Sequence, residues 1–366
     1  MYLRLIIAVL FSVWWSTSEC KSVVKRAEVV ESFQNNEPII GVLSLEVSPA
    51  IKRNFPGDQE SYIAASYIKF VEGAGARAVP IWIGKEREYY ENLMNKINGV
   101  LLPGGATWFN ETGGYADAGR IIYDIAVDMN KNGVYMPVWG TCLGFELMLY
   151  VDKNNQEHRE SCSSQGQIIP LELKKVARTD SKLFSNASSD VLSILSTKNV
   201  TYNWHMFCTT EKTFRKLGYD RDWTVLSTNK DYNGFEFISS VEHKRYPFYG
   251  IQFHPEKNIY EWGVSRVYPH SPEAILISQY FADFFVSECR KNPNKFGNET
   301  EMMDSLIQNY SPTFTGKGKS SFYQMYFFPM NPEEPVKLFT KQSGASVTVP
   351  SLLLITIVTN FLLIDI

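Results

Sequence analysis

A cysteine between two glycines is the residue of this sequence with the clearest chemical potential. Cys142 lies in the string VWGTCLG, with Gly140 and Gly144 two residues away on either side. This spacing is typical of a nucleophile elbow, where flanking glycines let the chain turn sharply after a strand. A helix beginning just after Cys142 would favour the thiolate through its dipole and free N–H groups. We predict that Cys142 is a nucleophile; a buried structural cysteine is the alternative.

A histidine and a glutamate further along the chain could complete this chemistry. A thiol with an ordinary pKa of about 8.5 needs a basic or cationic partner to act as a nucleophile near neutral pH. His254 lies in GIQFHPE at the end of a predicted strand, and Glu256 follows two residues later. His254 alone would be read as an ordinary packing histidine. Together with Cys142, the pair predicts a nucleophile, a base and a carboxylate that orients the base.

Two consecutive glycines follow the third predicted strand, in the string LPGG. Backbone N–H groups at glycines can approach a reacting carbonyl closely, which suits an oxyanion hole. We expect the Gly105 and Leu143 N–H groups to form this hole and Gly104 to lie against the substrate. A simple tight turn is the alternative.

These residues need a scaffold, and short apolar runs alternate with amphipathic ones along the first half of the chain. Apolar runs predict strands at 38–45, 77–83, 99–103 and 135–139. Helical spacing predicts helices at 61–73, 86–96, 116–130 and after Cys142. We therefore expect an α/β fold with a mostly parallel central sheet flanked by helices, and a ligand site beyond the carboxyl ends of its strands.

The second half of the chain predicts additional strands and one closing helix. Strands are expected at 168–173, 223–227, 235–241 and 249–253, some of them antiparallel, and a helix is expected at 273–291. Residues 310–328 have the character of a peripheral extension. In terms of domains, 37–292 is expected to be catalytic, with 293–340 as a C-terminal extension that packs on it.

Composition and cysteine usage exclude several classes of protein. Lys and Arg number 36 against 39 Asp and Glu, for a net charge of −3, so no basic surface for nucleic acid is expected. No Cys-x-x-Cys pair or His/Cys cluster has metal-ligand spacing, and no metal or cofactor is predicted. With Cys20 at a signal boundary and Cys142 as a free thiol, at most one disulfide is expected, and Cys162–Cys208 is a guess.

Both ends of the chain have the character of processing segments. Residues 1–20 have the layout of a secretory signal peptide, with a membrane anchor as the alternative, and 21–36 would be a short N-terminal extension. The uncharged apolar run in 341–366 fits a glycolipid-anchor signal, with a short tilted membrane segment or an unprocessed tail as alternatives. Five Asn-x-Ser/Thr sites agree with secretion: Asn110, Asn186, Asn199, Asn298 and Asn309.

Longer strings around these motifs resemble the gamma-glutamyl hydrolase family, within the class I glutamine amidotransferase-like superfamily, whose fold is flavodoxin-like. The resemblance covers about residues 37–325 and departs from the family at 153–169 and after Thr340. The strings that carry it are PIIGVL, SYIAASYIKFVEGAGARAVP, INGVLLPGG, PVWGTCLGFE, PFYGIQFHPEKNIYEW, SPTFTGK and SSFYQMYFF.

The resemblance implies a secreted or lysosomal (or vacuolar) cysteine peptidase that cleaves γ-linked glutamates from folylpoly-γ-glutamates without a cofactor. Cys142 would be its nucleophile and His254 its base. By the same resemblance, Glu146 and His205 become candidates for holding substrate, while a packing role for His205 stays open. Attachment to the cell surface through the tail and a homodimer are further alternatives that the sequence leaves open.

Two other functions compete with hydrolysis. An amidotransferase-type glutaminase would deliver ammonia to a synthase, yet the chain has a leader and no synthase-sized remainder. A catalytically silent binding protein on the same fold is disfavoured because Cys142, His254 and Glu256 are all retained.

Overall fold

The computed structural model describes residues 35–263, 266–317 and 320–329, all within the unit formed by Met1–Pro335. The predicted leader at 1–20, nearly all of the 21–36 extension and the 341–366 tail lie outside the described residues. Across the ranges that are described, no helix combines the length and the apolar character needed to cross a membrane.

The central sheet has eight strands, and its first five run parallel. The other three are antiparallel to their neighbours. Numbered along the chain and given in spatial order, they are β4 (Arg77–Ile81), β1 (Ile39–Leu43), β5 (Gly99–Leu102), β6 (Val138–Thr141), β14 (Phe248–Ile251), β13 (Glu236–His243), β12 (Trp223–Lys230) and β9 (Glu172–Leu173). The predicted mostly parallel sheet with additional antiparallel strands is confirmed.

Three smaller antiparallel sheets surround this one. One has the order β15–β16–β3–β2, and the other two pair β7 with β11 and β8 with β10, where the strands are β2 (Leu45–Glu46), β3 (Gln59–Ala64), β7 (Glu160–Ser161), β8 (Gln167–Ile169), β10 (Thr201–Asn203), β11 (Phe207–Cys208), β15 (Thr313–Phe314) and β16 (Gln324–Pro329).

Helices cover the central sheet. The α-helices are α1 (Pro49–Asn54), α2 (Ala65–Glu72), α3 (Arg87–Met94), α4 (Tyr115–Lys131), α5 (Leu143–Asp152), α6 (Lys175–Asp180), α7 (Ser189–Thr197), α8 (Glu211–Lys216), α9 (Lys257–Tyr260), α10 (Pro272–Cys289) and α11 (Glu299–Ser305). Two short 3₁₀ helices are Tyr219–Arg221 and Ile307–Asn309.

The packing of the sheet explains why its parallel strands are apolar throughout. All residues of β1, β5, β6 and β14 are buried, as expected for strands covered on both faces. The predicted closing helix, α10, packs on Trp139 of β6, with ring centroids 6.1 Å away at Phe281 and 5.6 Å away at Phe285. This helix is therefore part of the core.

The prediction of a helix over 61–73 is wrong in its first turn. Residues 59–64 form β3, and only 65–72 are helical. The cause is a partner distant in sequence, because β16 pairs with β3 from Met325↔Ala64 to Phe328↔Ser61. The segment 310–328, expected to be peripheral, thus supplies a strand to a sheet beside the central one.

The guessed disulfide is confirmed. Cys162 and Cys208 are joined across β7 and β11 and close a separation of 46 residues. In the described ranges, Cys142 and Cys289 are the free cysteines.

The strand order brings three distant segments to one edge. Strands β5, β6 and β14 are neighbours and parallel, so the residues that follow them meet at the carboxyl edge of the sheet. These are Gly104, Cys142 and His254.

Candidate active site

Cys142 lies on a strained turn between β6 and α5. Its backbone has φ 53° and ψ −109°, in a region where non-glycine residues are rare. Its N–H donates to Ile251 O at 2.7 Å, which fixes the turn against the end of β14. A Cβ at Gly144 would collide with Leu102 O, so only glycine lets the first turn of α5 approach β5 this closely. The sharp turn expected from the glycine spacing is therefore present.

His254 and Glu256 form a buried pair beside this turn. His254 Nδ1 lies 2.8 Å from Glu256 Oε1, and the backbone N–H of His254 donates to Tyr202 O at 2.8 Å. A Cβ on Gly104 would lie 2.8 Å from His254 Cε1 and 3.1 Å from Cys142 Cβ, so both side chains border the same space.

The protonation state of Cys142 depends mainly on its burial. Burial, followed by the carboxylates of Glu146 and Glu256, raises the pKa of the Cys142 thiol well above its usual value. The Leu143 N–H lowers the pKa as the helix N-terminus predicts, but the effect of burial is larger. Cys142 is therefore a thiol at rest that needs a base, because burial outweighs the helix N-terminus.

The imidazole is also neutral at rest. Burial lowers the pKa of His254, although Glu256 opposes this. Burial would raise the pKa of Glu256, but the hydrogen bond with His254 and the charge of Lys257 hold it below its usual value. The ionised Glu256 oxygen fixes the tautomer with Nδ1–H donating to it, and Nε2 keeps a lone pair for a proton.

Tyr67 holds the LPGG turn against this pair. Its hydroxyl accepts from the Gly104 N–H at 2.8 Å and lies 3.4 Å from His254 Nδ1. Gly104 is thus a wall of the site, and its N–H is not available to a substrate. In the described part of the chain, no protein acceptor takes the Gly105 N–H.

Glu146 lies in the first turn of α5 and is buried. Gln252 Nε2 donates to its Oε1 at 3.0 Å and lies 3.7 Å from Cys142 Sγ. Arg159 Nη1 is 3.6 Å from Glu146 Oε2, and its guanidinium lies over the Phe109 ring at 4.2 Å. Burial raises the pKa of Glu146 to about 7, against the lowering effect of Arg159.

His205 is buried behind the disulfide. Its Nδ1 lies 3.1 Å from Phe207 O and 3.5 and 3.3 Å from the sulfurs of Cys162 and Cys208. Burial lowers the pKa of His205 to about 3. The ring is therefore a neutral group that supports the segment around Phe207.

Two cavities meet at Cys142, and both are also lined by Gly105, Ala106 and Trp204. The first, of about 230 Å³, extends past His254 to Lys257, Arg266 and Phe322; we call it the cationic cavity. The second, of about 240 Å³, extends past Leu143 to Glu146, Arg159 and Phe207; we call it the Glu146 cavity. A substrate that crosses Cys142 can occupy both.

The predicted glycosylation sites differ in their accessibility. Four are exposed: Asn110, Asn186, Asn199 and Asn298. Asn309 is half-buried, and its Nδ2, to which a glycan would attach, donates to Met303 O at 2.7 Å and Leu306 O at 3.0 Å. The geometry disfavours glycosylation at Asn309.

Several residues of the site escaped the sequence predictions. Tyr67 lies within the predicted helix 61–73 but in no motif, and Arg159 and Arg266 come from irregular segments without a motif. Gln252 carried a usable signal, because it lies two residues before His254, and alternate residues of a strand share a face.

The adjoining strand ends support acyl transfer through a cysteine. This chemistry places the protein among α/β enzymes with a cysteine nucleophile.

The model of the Peptidase C26 family matches residues 38–256. Gamma-glutamyl hydrolase B of Dictyostelium discoideum is 38% identical over 80% of this chain and 84% of its own length. The gamma-glutamyl hydrolases of Bos taurus and Rattus norvegicus are 39% and 40% identical, over 80% of this chain and 90% of theirs.

The chain therefore belongs to the Peptidase C26 family, and gamma-glutamyl hydrolases are its relatives. The resemblance found in the sequence is confirmed.

The raised pKa of Glu146 predicts a pH-dependent stability. The native state holds this proton more tightly than the unfolded chain, where the pKa is about 4.3. The stabilisation is complete below that pH and is lost as the pH rises through about 7. Between pH 4 and 8, the free energy of unfolding of the wild type should fall by about 3 kcal/mol relative to Glu146→Gln. Urea unfolding across this range measures the difference.

A matched control is available in Glu157→Gln. The hydrogen bond from Arg159 lowers the pKa of Glu157 to about 2, so in the native state this carboxyl does not titrate above pH 4. Above about pH 5 it is ionised in the unfolded chain as well, and its variant should follow the wild type in parallel there. A Glu146→Gln curve that is also parallel to the wild type would contradict a buried, protonatable Glu146.

Proposed function

We propose that the protein hydrolyses γ-glutamyl amide bonds of folylpoly-γ-glutamates and related antifolate polyglutamates, through a thioester on Cys142. The observation that carries this is the junction at Cys142: a strained cysteine next to a His–Glu pair, in a chain whose relatives are gamma-glutamyl hydrolases. Glutamate or short polyglutamates would be released.

The reaction follows from the resting protonation states. As Cys142 Sγ attacks the scissile carbonyl carbon, its proton passes to His254 Nε2, and the Glu256 carboxylate stabilises the imidazolium. The N–H groups of Gly105 and Leu143 face the developing oxyanion. The C–N bond then breaks as His254 returns the proton to the leaving nitrogen, and water hydrolyses the thioester.

The rim of the Glu146 cavity favours binding of the folyl part of the substrate. Trp108 and Met206 line it and are 63% and 56% exposed, which is unusual for large apolar side chains. A flat aromatic group such as a pteridine could stack there. Glu146, Arg159 and His205 would then define the acyl side of the site.

The competing functions lack comparable support. An amidotransferase needs a synthase partner, and the relatives reported above are hydrolases by name. A silent binding protein has no need of a strained cysteine, since strain of this kind costs on the order of 1–3 kcal/mol and must be held by the surrounding structure.

We expect Cys142→Ala to abolish hydrolysis with substrate binding retained, because the change removes the nucleophile and little packing. Cys289→Ala is the matched control: this second free cysteine is buried in α10, away from the carboxyl ends of the strands, and its loss should cost about 1 kcal/mol of stability and leave turnover intact.

The two histidines should give different phenotypes. His254→Ala should lower kcat by about 10²–10⁴-fold, whereas His205→Ala should act mainly on KM. Mass analysis of products from pteroylpentaglutamate gives all four results.

The opposite pattern would refute the assignment. Full activity of Cys142→Ala excludes a thioester mechanism. A loss of kcat in His205→Ala together with a KM effect in His254→Ala would mean that the two histidines have exchanged roles.

For localisation, we propose the secretory pathway, with delivery to the extracellular space, a lysosome or a vacuole, or to the cell surface through a glycolipid. The Cys162–Cys208 disulfide and the four exposed glycosylation sites support an oxidising compartment. Protein expressed in eukaryotic cells should be released from their surface by phosphatidylinositol-specific phospholipase C. Accumulation in the medium or in lysosomes with the tail attached would contradict the anchor and leave the hydrolase proposal intact.

A further inference from the structure

The two cavities at Cys142 are not equivalent, and the position of His254 determines which part of the substrate each of them binds. His254 lines the cationic cavity, whereas Leu143 and His205 line the Glu146 cavity. The base that takes the thiol proton must return it to the leaving nitrogen. The leaving part of the substrate therefore belongs in the cationic cavity, and the acyl part belongs in the Glu146 cavity.

The charges of the cavities differ in the same sense. Of the described residues that line the cationic cavity, Lys257 and Arg266 are the ones with a charged side chain of fixed sign, and no carboxylate is among them. The Glu146 cavity has one carboxylate and one guanidinium, Glu146 and Arg159. An anionic leaving group is complementary to the first cavity only.

Lys257 is an ammonium with unused hydrogen-bonding capacity. Its side chain is 3% exposed, and Nζ has no hydrogen-bond acceptor among the described residues. Glu256 Oε1 lies 3.9 Å from Nζ, beyond hydrogen-bond distance, and the Glu261 carboxyl also interacts electrostatically with Lys257. The Phe322 ring lies 4.5 Å from Nζ. A buried ammonium without hydrogen bonds is costly, so a ligand carboxylate would be bound favourably here.

Arg266 is held in place by uncharged groups. Its guanidinium stacks on the Trp204 ring at 3.6 Å, and Nη2 donates to Ser321 Oγ at 2.8 Å. No carboxylate of the described ranges forms an ion pair with it. Stacking fixes the plane of the guanidinium and leaves N–H groups for a contact with an anion.

We propose that Lys257 and Arg266 bind the α-carboxylate of the amino acid that leaves from the scissile bond, so that the enzyme selects an α-amino acid over a plain amine as leaving group. This inference rests on the proposed function. Each γ-linked glutamate presents an α-carboxylate next to the amide nitrogen, and both cations line the cavity to which we assign this part of the substrate.

A matched set of substrates tests the proposal. All have the same folyl-γ-glutamyl acyl part, and the leaving group is glutamate, glutamine or 4-aminobutyrate. Glutamine keeps the α-carboxylate but loses the charge of the side chain, whereas 4-aminobutyrate is glutamate without the α-carboxylate. For the wild type we expect kcat/KM for glutamate and glutamine within a few-fold of each other, and that for 4-aminobutyrate lower by on the order of 10²-fold.

The variants locate this preference. Lys257→Met and Arg266→Gln should each reduce the glutamate to 4-aminobutyrate ratio by about tenfold or more. Arg159→Gln is the matched control: on the acyl side, it should lower kcat/KM for both substrates and keep the ratio. General damage to the fold also lowers both rates together, so the ratio separates recognition from a structural effect, and Arg266→Gln serves where the buried Lys257 change impairs folding.

Equal cleavage of all three substrates by the wild type would overturn the subsite and leave the hydrolase proposal standing. So would a ratio that stays unchanged in both variants. Failure of the wild type to cleave any of the three would instead refute the proposed function, and the subsite with it.

Discussion

One hydrogen bond ties the backbone of the nucleophile to the strand that leads to its base. The Cys142 N–H donates to Ile251 O at 2.7 Å and ties the end of β6 to the end of β14, three residues before His254. The bond also holds Cys142 at positive φ, from which α5 begins. Because the backbone of one strand end is fixed to the other, the positions of thiol and imidazole are set by the sheet itself.

The buried surroundings of this bond keep the Cys142 thiol and the His254 imidazole uncharged until substrate binds. Burial raises the pKa of Cys142 and lowers that of His254, while Glu256 stays ionised. A thiol and a neutral imidazole avoid the cost of separated charges in a dry site. The carboxylate beneath the imidazole then stabilises its charged form once the proton has moved, which is when stabilisation accelerates the reaction.

Much of this could be predicted from the sequence, because the glycine spacing around Cys142 and the strand before His254 are local signals. The parallel sheet follows from the alternation of apolar and amphipathic runs, and the triad residues follow from motifs. The helix expected at 61–64 failed because β3 pairs on one side with β2 and on the other with β16, more than 250 residues away in sequence. Long-range pairing of this kind overrides local periodicity.

In the site, too, local motifs indicate some residues and only the packing shows the others. Lys257 lies next to a recognised motif, yet only packing shows that its ammonium is buried and without a hydrogen bond. Arg159 and Arg266 reach the cavities from irregular segments, where spacing carries no information. The sequence shows the helix N-terminus, which lowers the pKa of Cys142, but not the burial, which raises it by more.

The most direct test of the account is to trap the thioester. The protein is mixed with a folyl-γ-glutamyl substrate, quenched in acid within milliseconds, digested and analysed by mass spectrometry. The account predicts the mass of the acyl part on the peptide that contains Cys142, with the Cys289 peptide unmodified. Turnover without an adduct on Cys142, or an adduct on another residue, would contradict it.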